Sequence, residues 1–156
     1  MTSRIVTLAA AAGLAVAGLA AAAPATAAWR VVGPGMAVAD ARSGNASLAA
    51  ECLQDGLVLG IYNIVWEFDH AEELDLVVDG RSFTLHQYGS GDRIVFSDAD
   101  SAGGNLDISP DLRSALKAGS QARLEGPAVG HIDPKLITFS LIRSENAINT
   151  VERFCE

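Results

Sequence analysis

The chain has 156 residues, with 11 basic and 19 acidic side chains and two cysteines. This length allows one globular domain, and the acidic balance without any lysine- or arginine-rich run excludes nucleic acid and anionic lipid surfaces as favoured partners. The acidic surface indicates a soluble protein or one with a basic partner.

The first 27 residues are interpreted as a secretory signal peptide. Arg4 supplies a positive start, residues 5–23 form an apolar run rich in alanine and glycine, and Pro24 precedes three small residues that end at Ala27. A signal peptidase reads this pattern, whereas an uncleaved anchor is the alternative because the run is about long enough to span a bilayer. We therefore expect a periplasmic or secreted domain, residues 28–156, with no stable membrane insertion after cleavage.

The cysteine pair predicts a disulfide. Cys52 and Cys155 are the two cysteines of the chain, and an isolated pair in an oxidising compartment is most simply bonded. The bond would close a loop of about 100 residues and tie an early strand to the end of the chain. A redox-active pair is the alternative, but the two lack the C-x-x-C spacing.

Short β-runs dominate the mature chain. Asp55-Gly56 and Asp79-Gly80 each separate two apolar runs, which is a hairpin signal because glycine accepts a positive φ. The second run of the first hairpin is expected to extend as far as Phe68, with Tyr62 and Trp66 on the same face. The mature chain opens with an apolar run at 29–32 and a loosely alternating run at 36–41. The predicted strands after these runs are 47–53, 57–62, 74–78, 82–87, 93–96, 122–125 and 136–142.

Two short helices interrupt the strands. Ser109 is a favourable N-cap, Pro110 suits the first turn, and Gly119 follows the last predicted helical residues. A second helix is predicted from Ser144, its expected cap, to Phe154, because apolar residues recur there at helical spacing. The pattern predicts a mainly β fold, a β-sandwich or partly open β-barrel with two short helices, one of them C-terminal. A closed barrel with a lipocalin-like cavity is the alternative.

Several features of the chain together match one family pattern. They are Trp29, the cysteine strand 48–52, the hairpin 77–80, the helix 112–119, and the strand-to-helix junction 139–148 that closes with Val151 and Cys155. Through these features the mature chain resembles small periplasmic proteins of the invasion-associated locus B type and, more distantly, periplasmic accessory proteins of type VI secretion systems. The family pattern has glycine where this chain has Arg143. The resemblance implies a β-sandwich that serves as an interaction or envelope-stress factor, and it transfers no catalytic residue.

Asp98, Asp100 and Asp107 are the candidate metal ligands. Their loop partly fits a calcium-binding pattern, in which carboxylates at alternate positions surround a glycine turn. Ala102 stands where that pattern needs a further oxygen, and Ser109 stands where it needs a bidentate glutamate. A polar loop without metal is therefore the favoured reading.

Tyr62, Trp66 and Phe68 are the candidate partner or ligand surface. Three large aromatic side chains on one strand face suit a groove, although burial in the core is the alternative.

No catalytic or cofactor-binding residue is predicted, because the serines lack a nucleophile elbow and the cysteines are expected to be bonded. The favoured function is protein–protein binding in the cell envelope. The alternatives are an exported carboxylate-based hydrolase and a carrier of a small ligand or metal.

Overall fold

The computed structural model describes residues 28–53, 56–64, 74–90, 93–99 and 106–156. The prediction of a mainly β fold with two helices, one of them C-terminal, is confirmed within these ranges. The strands are β1 (Arg30–Gly33), β2 (Met36–Asp40), β3 (Ser47–Leu53), β4 (Gly56–Tyr62), β5 (Leu74–Val78), β6 (Arg81–Ser90), β7 (Arg93–Ser97), β8 (Gln121–Glu125) and β9 (Thr138–Ser140). The helices are α1 (Pro110–Ala118) and α2 (Ser144–Cys155), and a 3-10 helix spans Pro134–Ile137.

The strands form one antiparallel sheet in the order β1-β2-β3-β4-β7-β6-β5-β8-β9. Strand β6 changes partner halfway, because residues 81–85 pair with β5 and residues 86–90 pair with β7. The two halves of the sheet are therefore joined through one long strand. An isolated bridge links Ala41 to Phe139, but no ladder continues it, so the sheet is not closed and the closed-barrel alternative is wrong.

Both halves of the sheet contribute to one hydrophobic core. The alternation of strands puts Leu74 and Leu76 of β5 and Leu124 of β8 into it, and Phe96 of β7 in the other half belongs to the same core. Phe96 and Phe139 are the largest side chains that are fully buried. Since a buried aromatic side chain removes roughly 150 to 250 Å² from water, these two contribute strongly to the stability of the core.

The two predicted hairpins are confirmed. Leu53 pairs with Gly56 at the end of β3 and β4, and Val78 pairs with Arg81 at the end of β5 and β6. In the second turn Asp79 and Gly80 both have positive φ, 45° and 88°, which suits the twist of a two-residue hairpin.

Helix α1 begins as predicted but ends differently. The Ser109 side chain accepts a hydrogen bond of 3.1 Å from the Leu112 backbone N–H, so it caps the helix. Gly119 follows the helix in an extended conformation, with φ −76°, and not in the left-handed one expected of a glycine cap. Its lack of a side chain matters for packing instead, because a Cβ there would lie 2.8 Å from atoms of Val78 and Leu141.

The predicted strand 136–142 is wrong in its first part. Asp133 accepts a hydrogen bond from the Lys135 backbone N–H, and Pro134 occupies the first turn, so a 3-10 helix forms through Ile137. Strand β9 is limited to Thr138–Ser140.

The predicted extension of β4 toward Phe68 is also wrong in the part that can be seen. Strand β4 ends at Tyr62, and Asn63 has φ 58°, which an extended strand does not allow. Trp66 and Phe68 lie outside the described residues.

The start of helix α2 corrects the expected cap. Ser144 is the first helical residue, is buried, and donates its backbone N–H to the Leu141 carbonyl at 3.0 Å. Arg143 is the preceding cap residue, without a capping side-chain hydrogen bond, and its φ of 66° is left-handed. Glycine adopts this conformation without strain, whereas a residue with a Cβ does not.

Helix α2 packs against the first four strands and is bonded to one of them. Its residues Ile148 and Val151 are fully buried and belong to the same hydrophobic core as Ala37 of β2 and Ala50 of β3. The predicted disulfide is present, since Cys52 of β3 is bonded to Cys155 of α2 with their Cα atoms 5.3 Å apart.

Loss of this disulfide is expected to destabilise the domain. The bond joins residues separated by 103 positions, for which the chain-entropy model gives about 4 to 5 kcal/mol. Cys52→Ala should lower the melting temperature of the domain of residues 28–156 by roughly 10 °C or more. The Cys52→Ala/Cys155→Ala double variant should melt where either single variant does, because each removes the same bond. Additive losses in calorimetry would contradict this account.

Arg143→Gly is expected to stabilise the domain by about 0.5 to 1 kcal/mol. The gain is the relief of left-handed strain, partly offset by the greater freedom of glycine in the unfolded chain. Arg153→Gly is the matched control, since Arg153 is an exposed arginine within α2, and it should cost about 1 kcal/mol. Urea unfolding of both variants measures the difference, and a destabilised Arg143→Gly would show that the backbone there is not strained.

Candidate binding surfaces

Of the three predicted surface aromatics, Tyr62 alone falls in the described part of the chain. Tyr62 is half-buried, and its hydroxyl donates a short hydrogen bond to the Glu51 carboxylate. Glu51 lies on the neighbouring strand and is 4 % exposed. Tyr62 therefore covers a buried carboxylate of its own chain, which is a structural contact.

Gly60 makes room for this contact. A Cβ at Gly60 would collide with the Glu51 carboxylate and lie 2.7 Å from the Tyr62 ring. Sequence reasoning missed this arrangement. The available signal was a glycine in the middle of an apolar strand, which often marks the close approach of another group.

The candidate metal ligands are engaged by the protein. Asp98 accepts hydrogen bonds from the backbone N–H, at 2.7 Å, and the hydroxyl of Ser109. Asp107 accepts a bond of 2.8 Å from the Leu57 backbone N–H, whereas Asp100 lies outside the described residues. The described residues contain no group of three or more potential metal ligands. The described contacts of Asp98 and Asp107 hold the start of α1 and strand β4 in place.

A polar cleft of about 360 Å³ adjoins the disulfide. Arg113 of α1 contacts Asp107 at 2.6 Å and Glu152 of α2 at 3.5 Å, and Lys117 contacts Glu152 at 2.7 Å. These ion pairs join the two helices. Asp107 and Glu152 of this cleft are thus held by cations, which does not favour them as the carboxylate pair of a hydrolase.

An apolar edge surface follows strand β1, and we define it as Val31, Val32, Ile142 and Phe154. Strand β1 ends the sheet, so it pairs with β2 on one side only in the described part of the chain. Six large apolar residues are exposed among the described ones, and these four are among them. The exposed fractions of the four are 46 to 56 %. Exposed apolar side chains beside an open strand edge are typical of an interaction surface.

The segment that precedes α2 and the last turn of α2 lie near the two ends of this edge. The Trp29 backbone N–H donates to the Ile142 carbonyl at 3.0 Å, just before β1 begins. A Cβ built on Gly35, just after β1, would lie 3.8 Å from the Phe154 Cβ. Ile142 and Phe154 therefore lie near the two ends of strand β1.

An ion pair fastens β1 to its neighbour. Arg30 donates a hydrogen bond of 2.5 Å to Asp40, which also accepts a bond from the Ser47 hydroxyl. The bond from Arg30 lowers the pKa of the Asp40 carboxyl below its ordinary value, against the opposing effect of partial burial. Its stabilising effect is therefore present at neutral pH and is lost when acid protonates Asp40, and it is modest because both groups are well exposed.

An open apolar cleft of about 480 Å³ lies elsewhere on the described surface. Its volume is within the range of small-molecule sites, and its described lining contains no carboxylate. The apolar cleft is lined by Gly44, Asn45, Ala46, Asn63, Ile64, His131, Ile132, Leu136 and Ile137.

Comparisons with protein-family models, curated proteins and solved structures find no match to this chain. The resemblance to invasion-associated locus B proteins thus stays a prediction. Within the described ranges, no helix has both the length and the apolar character needed to cross a membrane.

Gly60→Ala is expected to destabilise the domain by about 1 to 3 kcal/mol, because the added methyl displaces the Tyr62 ring or the Glu51 carboxylate. Gly33→Ala is the matched control, since a Cβ at Gly33 of β1 meets nothing within 4 Å. Chemical unfolding compares the two variants. Equal stability of both would show that Tyr62 and Glu51 move apart at little cost.

Proposed function

We propose that the mature domain acts in the periplasm or outside the cell by binding another protein through the edge surface, without catalysing a reaction. The observation that carries the proposal is the open edge of β1 beside Val31 and Val32, whose side chains are about half exposed. An extended segment of a partner that pairs with β1 would bury both side chains and satisfy the backbone groups of the edge.

The size of the edge sets the expected strength of this interaction. Strand β1 has four residues, and Pro34 follows it directly, so a partner strand has few backbone groups to pair with. Short edges and prolines also limit unwanted pairing between sheets. The flanking side chains of Ile142 and Phe154 would therefore supply much of the binding energy, because burial of a large apolar side chain contributes about 1.5 to 3 kcal/mol.

The location outside the cytoplasm rests on the signal-peptide pattern of residues 1–27, and the Cys52–Cys155 bond is compatible with it. The hydrolase alternative is less favoured, because the apolar cleft has no carboxylate in its described lining and because Asp107 and Glu152 of the polar cleft are ion-paired.

Val31→Lys/Val32→Lys is expected to reduce the recovery of the partner at least about tenfold when the mature domain is cross-linked in an envelope extract. Two charges at the edge oppose both strand pairing and the burial of apolar surface. Ile94→Lys is the matched control, because Ile94 of β7 is 50 % exposed but is not part of the edge surface.

Quantitative mass spectrometry of the cross-linked proteins supplies the measurement, with circular dichroism to confirm that each variant is folded. If the double variant recovers the same proteins in the same amounts as the unaltered domain, the edge surface is not the binding site. The same conclusion follows if Ile94→Lys abolishes recovery equally.

A further inference from the structure

The two cysteines of the disulfide are both half-buried but differ in their surroundings. Cys155 belongs to the described lining of the polar cleft of about 360 Å³, and Cys52 does not. The Cys52 backbone N–H donates to the Gly35 carbonyl at 2.7 Å, and a Cβ built on Gly35 would lie 3.1 Å from the Cys52 Cβ. The turn between β1 and β2 therefore packs on Cys52, so the cleft is the more open route to the bond and leads to Cys155.

The last turn of α2 contributes no apolar side chain to the core. The buried apolar residues of α2 are Ala147, Ile148 and Val151, which all lie before this turn. Glu152 is half-buried and bonded to Lys117, whereas Phe154 is 56 % exposed. The turn is therefore able to open after cleavage of the disulfide while the core stays intact, since local opening costs little where few apolar contacts are lost.

Phe154 connects this turn to the edge surface. A Cβ built on Gly35 would lie 3.8 Å from the Phe154 Cβ, so the turn between β1 and β2 that packs on Cys52 also lies next to Phe154. Phe154 directly precedes Cys155 in the chain. The disulfide and one of the four residues of the edge surface are thus held at the same point, just after β1.

We infer that the Cys52–Cys155 bond is a redox-sensitive switch, which a dithiol reduces in the folded domain so that the last turn of α2 releases Phe154 from the edge surface. A thiolate of the dithiol attacks the Cys155 sulfur, the S–S bond breaks, and Cys52 leaves as a thiolate that takes up a proton. The second thiol of the reductant then displaces Cys155 as a thiol. The protein gains two electrons and two protons, and the dithiol is oxidised to a disulfide. The switch is a property of the domain alone, so it does not depend on the proposed protein partner.

Dithiothreitol tests whether the bond is reached in the folded state. The domain of residues 28–156 is reduced at urea concentrations below its unfolding transition, and free thiols are alkylated and counted by mass spectrometry. The rate should change less than about twofold between zero and about 2 M urea, whereas a reaction that requires global unfolding would accelerate at least about tenfold. Such an acceleration, or no reduction in the absence of urea, would overturn the proposal.

Glutathione, a monothiol, identifies the sulfur that is attacked. Its mixed disulfide with the domain is trapped by acid at low conversion and located by peptide mass spectrometry. The adduct should lie on Cys155 at least about fivefold more often than on Cys52, because access decides which sulfur a thiolate attacks. An adduct mainly on Cys52 would overturn the route through the polar cleft and with it the proposal.

Nuclear magnetic resonance follows the release of Phe154. The nuclear Overhauser effect between Phe154 and Gly35 should fall at least about fivefold on reduction and return on reoxidation, while the β5 and β8 amide resonances keep their folded positions. Cys52→Ala/Cys155→Ala is the matched control, and it should give the weak effect with and without reductant. A full-strength effect in the reduced domain, or loss of the whole folded spectrum on reduction, would overturn the proposal.

Discussion

The attachment of helix α2 to the first four strands is the constraint on which the rest of the structure depends. Ile148 and Val151 of the helix are buried in the core, and the Cys52–Cys155 disulfide joins the last turn of the helix to β3. At the other end, the Ile142 carbonyl accepts the backbone N–H of Trp29. Because a short C-terminal helix otherwise frays, the bond keeps β1 supported along its whole length.

The same attachment determines which surfaces remain available. Strand β1 has a helix on its core side and an open edge, so the exposed Val31 and Val32 are presented on a fixed support. The apolar cleft depends on a different element, the contact of loop 42–46 with the region around Lys135. The two surfaces thus have separate structural causes, and a change in one need not disturb the other.

Local chemistry made much of the fold predictable. The hairpin at Asp79-Gly80 and the Ser109 cap follow from backbone preferences within a few residues, and both are observed. The disulfide followed from the number of cysteines and from the compartment that the signal-peptide pattern predicts. By contrast, the 3-10 helix at Pro134 was missed. The short apolar run that begins at Leu136 is as compatible with a strand as with a helix, so composition alone does not separate the two.

The binding surfaces were less predictable because they depend on contacts distant in the chain. The edge surface needs the position of β1 at the end of the sheet, which only the strand order gives. The apolar cleft combines residues from around positions 45, 63 and 132, and no local pattern connects them. Arg143 is an instructive case, because a left-handed conformation on an arginine has no signal in a single sequence.

Hydrogen exchange of the mature domain, oxidised and reduced, tests most directly whether the disulfide-held α2 supports β1. The account predicts that reduction speeds exchange of the α2 and β1 amides at least about tenfold more than exchange of the β5 and β8 amides in the other half of the sheet, whose protection falls only with the stability of the whole domain. Unchanged exchange in α2 and β1, or an equal increase throughout the domain, would contradict the claim that this bond supports the edge locally.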